Sequence, residues 1–193
     1  MKIRFSKTEI IHILCSLAAI TAAFAIAYQI NIFLGILTLG LGFLLHELSH
    51  KAVAQHYRCF AEFRADFRML LFTVLISFMG IVFAAPGAVV ILGRPGMKRK
   101  EFGRIAAAGP LANIILSLIF LGLFLSGVPW LKALSVTGFM INSWLALFNM
   151  LPFGMFDGRK VLYWSKKAFG AMLAVSILLV IILEFFVNVP VVQ

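Results

Sequence analysis

Apolar residues in this chain run in long unbroken blocks, and polar residues gather in the short gaps between them. Residues 10–27 form the first block, and the brief turn Tyr28-Gln29-Ile30-Asn31 leads straight into a second block that reaches residue 57. About 20 apolar residues suffice to cross a bilayer as a helix, so the pattern predicts spanning helices over residues 9–28, 32–57, 104–125, 131–151 and 169–187. Gly127 and Pro129 mark the turn before the fourth of these, and Pro152, Gly154 and Gly158 stop it. Pro110 is expected at the start of its helix, where a missing N–H costs nothing. No internal repeat or low-complexity segment interrupts the series, which predicts a single domain over residues 1–193 with its core at 32–158.

One block does not fit a simple span. Residues 69–92 are apolar, but a basic cluster stands at each end: Lys51, Arg58, Arg64 and Arg68 before it, Arg94, Lys98, Arg99, Lys100 and Arg104 after it. Basic residues mark the cytoplasmic side, so this block enters the membrane and returns. Two full helices need about forty residues and roughly twenty-four are present. A helix over 69–84 rises about 24 Å, and an extended return over 86–93 covers about 26 Å. Pro86-Gly87 breaks the helix at the reversal, and Val89-Val90-Ile91-Leu92 is strand-like. Such a strand has to be buried in protein, line a cavity, or find a partner strand. The expected fold is therefore an all-α polytopic membrane protein, with five full transmembrane helices and a re-entrant helix/β-strand segment at about 69–93.

Composition supports the bilayer as solvent: hydrophobic residues make up 63% of 193 and mean hydropathy is +1.06, too apolar for a soluble domain. The net charge of +10 then reads as orientation information, and no aromatic-and-basic surface for nucleic acid is visible. With the N-terminus and basic loops cytoplasmic and the C-terminus outside, Lys132 alone of the 17 basic residues faces outward. The start of the chain imitates a cleavable signal peptide, but its apolar run is nearly a full span and leads directly into another, which favours a retained first helix. Cys15 and Cys59 form no framework spacing. His12 has no partner at i+4 and is expected at an interface or in helix packing.

Against this background His46-Glu47-Leu48-Ser49-His50 stands out. On a helix the two imidazoles lie one turn apart on one face and can bind one zinc, while Glu47 can act as general base toward the attacking water. Of the seven acidic residues, Glu47 and Asp157 are the pair that the topology brings to a similar depth, at the cytoplasmic ends of their helices, which nominates Asp157 as third ligand. Two histidines, a carboxylate and a water form the open tetrahedral site typical of catalytic zinc. Burying such groups costs about 2.5 to 3.5 kcal/mol for a central charge, and zinc binding at about 10 to 16 kcal/mol in small sites offsets several of them.

These residues together resemble a known family. His46-Glu47-x-x-His50, Ala108-Gly109-Pro110-Leu111-Ala112-Asn113 and Asn149-x-x-Pro152-x-x-x-x-Asp157-Gly158 look like the three hallmark segments of the site-2 proteases, which are intramembrane zinc metalloproteases. The resemblance covers the core up to Gly158. It implies one zinc per chain, held by His46, His50 and Asp157, with Glu47 activating water. It also implies a substrate that is itself a transmembrane helix, already trimmed by another protease. Many members carry a PDZ or CBS domain; neither is found in these residues, so a compact form is expected. The re-entrant segment looks like an elaborated version of the family's β segment, with Val89 on a strand that pairs with unwound substrate. Asn149, and with less support Asn113 and Asn142, are candidates for holding the substrate backbone or the oxyanion, against a role as interhelical glue. A zinc or proton-coupled transporter is the competing class, but paired broken segments are missing; a non-proteolytic relative conflicts with an intact Glu47, and a prenyl-protein protease with the Asn149 to Gly158 pattern.

Overall fold

The computed structural model describes residues 3–82 and 87–186. Helix α1 (Lys7–Tyr28) starts on Ser6, whose hydroxyl accepts the Glu9 N–H at 3.0 Å. After the turn, the Asn31 side chain caps α2 (Ile32–His56), accepting the Phe33 N–H at 2.8 Å. A π-helical stretch at Ile36–Gly40 interrupts α2 and shifts the phase of the residues that follow. Strand β1 (Phe60–Ala65), a short helix α3 (Phe67–Ser77) and strand β2 (Gly87–Leu92) come next. The rest is helical: α4 (Arg99–Leu125), α5 (Lys132–Asn149), α6 (Asp157–Trp164) and α7 (Lys166–Phe186).

Five helices, α1, α2, α4, α5 with its leading turn, and α7, are long and apolar enough to cross a membrane, and the chain is a multi-pass membrane protein. Helix α4 packs on both α2 and α5, and α7 lies against α5. The apolar core between α4, α5 and α7 is built on Phe120, Phe139, Leu179 and Leu183. A second core joins α1, α2 and the sheet through Ile20, Phe24, Phe43 and Phe63.

The re-entrant block departs from expectation in its details. Its helix covers Phe67–Ser77 instead of 69–84, because Asp66 caps it early by accepting the Arg68 and Met69 N–H groups. The expected reversal at Pro86, with Ala84, falls outside the described residues. The strand is present, and its partner is the segment read from sequence as a basic loop. β1 and β2 pair antiparallel from Phe60↔Leu92 to Ala65↔Gly87, so the chain returns beside the point where it left. Helix α4 begins at Arg99 rather than 104, where Glu101 accepts the Lys98 N–H at 2.8 Å. Pro110 therefore lies in the interior of α4 and not at its start. The eight-residue α6 was not anticipated at all.

The N-terminal half of the fold is tied by charges buried among apolar residues. Lys51, fully buried on α2, pairs with the carboxylate of Glu9 on α1, and the other oxygen of Glu9 accepts the Phe63 N–H of β1 at 2.9 Å. Removing one partner of such a pair strands the other without solvent, at a cost of about 3 to 5 kcal/mol. Lys51→Met is expected to lower the thermal unfolding temperature in detergent sharply. The double change Glu9→Leu with Lys51→Met should recover part of that loss, and a single variant as stable as the parent would show that the pair does not hold the elements together.

Candidate active site

His46 and His50 are separated by one turn of α2, and both are buried. Asp157 reaches them from the first residue of α6, which packs against α4. The Asp157 Oδ2 lies 2.9 Å from His50 Nε2 and 3.4 Å from His46 Nε2, and the two Nε2 atoms are 3.1 Å apart. Tetrahedral zinc with bonds of about 2.0 to 2.1 Å separates its ligand atoms by about 3.3 Å. The three donors already stand at that spacing.

The space beside them is kept open by a glycine. A Cβ at Gly109 of α4 would collide with the Nε2 atoms of both histidines, so the missing side chain leaves a cradle facing the three donors. Donor type, spacing and cradle together fit a zinc ion. The imidazoles are also held from behind. His50 Nδ1 lies 2.7 Å from the Ile105 carbonyl of α4. A carbonyl only accepts, so Nδ1 carries the proton and Nε2 presents its lone pair to the cradle. His46 Nδ1 has the Asn113 Oδ1 at 2.6 Å.

Asp157 lies outside the five spans. Burial alone would raise its carboxyl, but the two imidazoles beside it and the charge of Lys160 outweigh this and hold it well below the ordinary carboxylate range. Lys160 Nζ sits 2.9 Å from the other oxygen, Oδ1. Glu47 follows His46 in α2 and is half-buried, with its Oε2 accepting the backbone N–H of Val89 at 3.0 Å.

The structure thus brings His46, His50, Asp157, Glu47 and Val89 into one place. Asn113, expected among substrate contacts, is fully buried behind His46 instead, and Asn142 is fully buried beyond it. Asn149 is half-buried and donates to the Leu145 carbonyl one turn back, at 2.9 Å. Sequence reasoning missed Lys160, the Ile105 carbonyl and the reason for Gly109. The i,i+3 spacing of Asp157 and Lys160 was a usable signal for the first; a backbone carbonyl leaves no trace in sequence.

A protein of Methanocaldococcus jannaschii bearing the name "putative zinc metalloprotease" is 41% identical over 167 residues, 84% of this chain and 87% of that protein. The chain belongs to the site-2 protease family. No family model matches it, and no solved structure does. The chain is thus a metalloprotease, and the three side chains that could hold its metal come from α2 and α6, with α4 shaping the wall between them.

The cradle is directly testable. Gly109→Ala is expected to purify with little zinc under conditions where the parent retains it, as read by elemental analysis. Zinc content equal to the parent's would place the ion elsewhere.

Proposed function

We propose that the protein is an intramembrane zinc metalloprotease that hydrolyses peptide bonds within transmembrane segments of other membrane proteins. The observation that carries this is the meeting of His46, His50 and Asp157 beside Glu47, inside a bundle whose helices are long enough to span a bilayer. Those three side chains would hold one zinc per chain, which would supply Lewis-acid chemistry toward the scissile carbonyl and the attacking water. Glu47 is the general base: it takes a proton from the attacking water and delivers it to the departing amine. Its Oε2 is held by the Val89 N–H, which leaves Oε1 for that transfer.

A helical substrate hides its carbonyls in its own hydrogen bonds, so it must unwind before attack. The sheet is built to receive it. Backbone groups alternate sides along a strand, and the Val89 N–H points to Glu47 and away from β1; Gly87 and Ile91 share that outward parity. The far edge of the sheet is already occupied, because the Phe63 N–H is taken by Glu9 and the Ala65 N–H by His12 Nδ1 at 3.0 Å. An incoming strand therefore adds beside β2, on the side of the proton acceptor. Asn149 stands as the candidate for holding the substrate backbone or the oxyanion. The positive-inside rule supports a cytoplasmic N-terminus and active-site end, with the C-terminus outside. Substrates trimmed beforehand by another protease suit a compact chain, since a short ectodomain enters a helical bundle more readily.

Reconstituted in lipid vesicles with a model transmembrane substrate, the protein is expected to cut it in a zinc-dependent, chelator-sensitive manner. Metal flux without cleavage would sink the proposal in favour of a transporter. Glu47→Gln should abolish hydrolysis while the zinc content stays unchanged. Val89→Pro, which removes the outward-facing N–H that Glu47 accepts, should slow cleavage about fivefold or more, whereas Val89→Ala should not. Equal rates for the two would count against strand docking.

A further inference from the structure

We propose that Asn142, on α5 and in contact with no metal donor, is a positioning residue that sets the metal-binding tautomer of His46 through Asn113. The proposal rests on the zinc reading above and extends it to a second layer of side chains.

Two backbone carbonyls fix the polarity of the chain of hydrogen bonds. Asn142 Nδ2 lies 2.9 Å from the Gly138 carbonyl, which can only accept. The Oδ1 of Asn142 must then face Asn113, whose Nδ2 stands 3.0 Å away. The same Nδ2 reaches the Gly42 carbonyl at 3.2 Å, again a pure acceptor. Both hydrogens of the Asn113 amide are thereby assigned, and a flipped Asn113 would aim its oxygen at two acceptors at once. Its Oδ1 is left to face His46 Nδ1 at 2.6 Å, so that nitrogen carries the proton and Nε2 is free for the metal. Asn113 and Asn142 are both fully buried, so no water substitutes for a lost link.

The sequence makes room for this relay. A Cβ at Gly42 would overlap the Asn142 Oδ1, and Gly42 lies one turn before His46 on the same face of α2. Simple interhelical glue would need neither the fixed polarity nor a terminus on a metal ligand.

The full-length protein in detergent micelles, freed of metal and titrated with Co2+ alone, tests this through the visible ligand-field spectrum. The parent is expected to give a tetrahedral spectrum that His46→Ala abolishes; a parent with no such spectrum, or a His46→Ala form that binds equally well, overturns the zinc reading and the relay with it. Given a functioning parent site, Asn142→Leu should weaken Co2+ binding about 10- to 100-fold. Asn142→Asp, which in its protonated form keeps both the donor to Gly138 and the acceptor for Asn113, should restore affinity to within a few-fold. If Asn142→Leu does not fold, Gly42→Ala perturbs the same carboxamide from α2 and should weaken binding likewise. Thermal unfolding of the metal-free forms separates the alternatives. A lowered unfolding temperature with parental Co2+ affinity in Asn142→Leu or Gly42→Ala would overturn the relay while leaving the zinc reading intact.

Discussion

Inside a bilayer a polar group has to find its partner within the protein, because no water is there to supply one. This demand organises the molecule more than any single apolar contact. Glu9, Lys51, His46, His50, Asn113, Asn142 and Asp157 are all buried, and each is bonded to another element. Among the described residues the Thr21 hydroxyl is the one buried side-chain polar atom left without a partner. The charged groups and carboxamides are ties between elements: α1 to α2 through Glu9 and Lys51, α2 to α4 through the two imidazoles, α4 to α5 through the asparagines, α2 to α6 through Asp157. Apolar side chains fill the volume between these ties but permit sliding; the ties set the register of the helices.

The same rule governs the sheet. A two-stranded ribbon has two open edges, and an open edge at membrane depth is costly unless something covers it. On the β1 side the cover is supplied by side chains of α1, with Glu9 and His12 standing where a third strand would. On the β2 side, among the described residues, Glu47 is the side-chain partner, at Val89. The asymmetry follows from sequence: α1 carries a carboxylate and an imidazole three residues apart on one face, while α2 offers that edge a single carboxylate.

Much of this was legible in the chain. Block length gave the five spans, and the spacing of His46 and His50 together with topology pointed to the three side chains that the structure brings together, since a membrane helix tolerates so few polar residues that each one is informative. β1 was hidden because its charges, Glu62 and Arg64, dominated the reading; yet they alternate with Ala61, Phe63 and Ala65, which is strand period. Glu9 was passed over as a helix-end residue because nothing local to it marks a partner 42 positions away. Asn113 was grouped with substrate contacts for the same reason: a carboxamide's type says that it bonds, and only the packing of α2 on α4 says to what. The short α6 escaped notice since eight residues after a Pro- and Gly-rich turn carry too little periodicity to separate helix from loop.

Pro110 shows how the site and the fold compete within one element. A proline in the interior of a helix removes a hydrogen bond and costs about 3 kcal/mol, so α4 should not contain one at its twelfth residue without a return. A carbonyl one turn earlier faces the site. Pro110 withholds the N–H that would have gone to the Ala106 carbonyl, and the adjacent Ile105 carbonyl is the one that orients His50. The neighbouring Gly109 clears the space in front of the same imidazole. Gly109 and Pro110 stand at the level where α4 passes the two imidazoles, one clearing the cradle and the other leaving the Ala106 carbonyl without its helical donor.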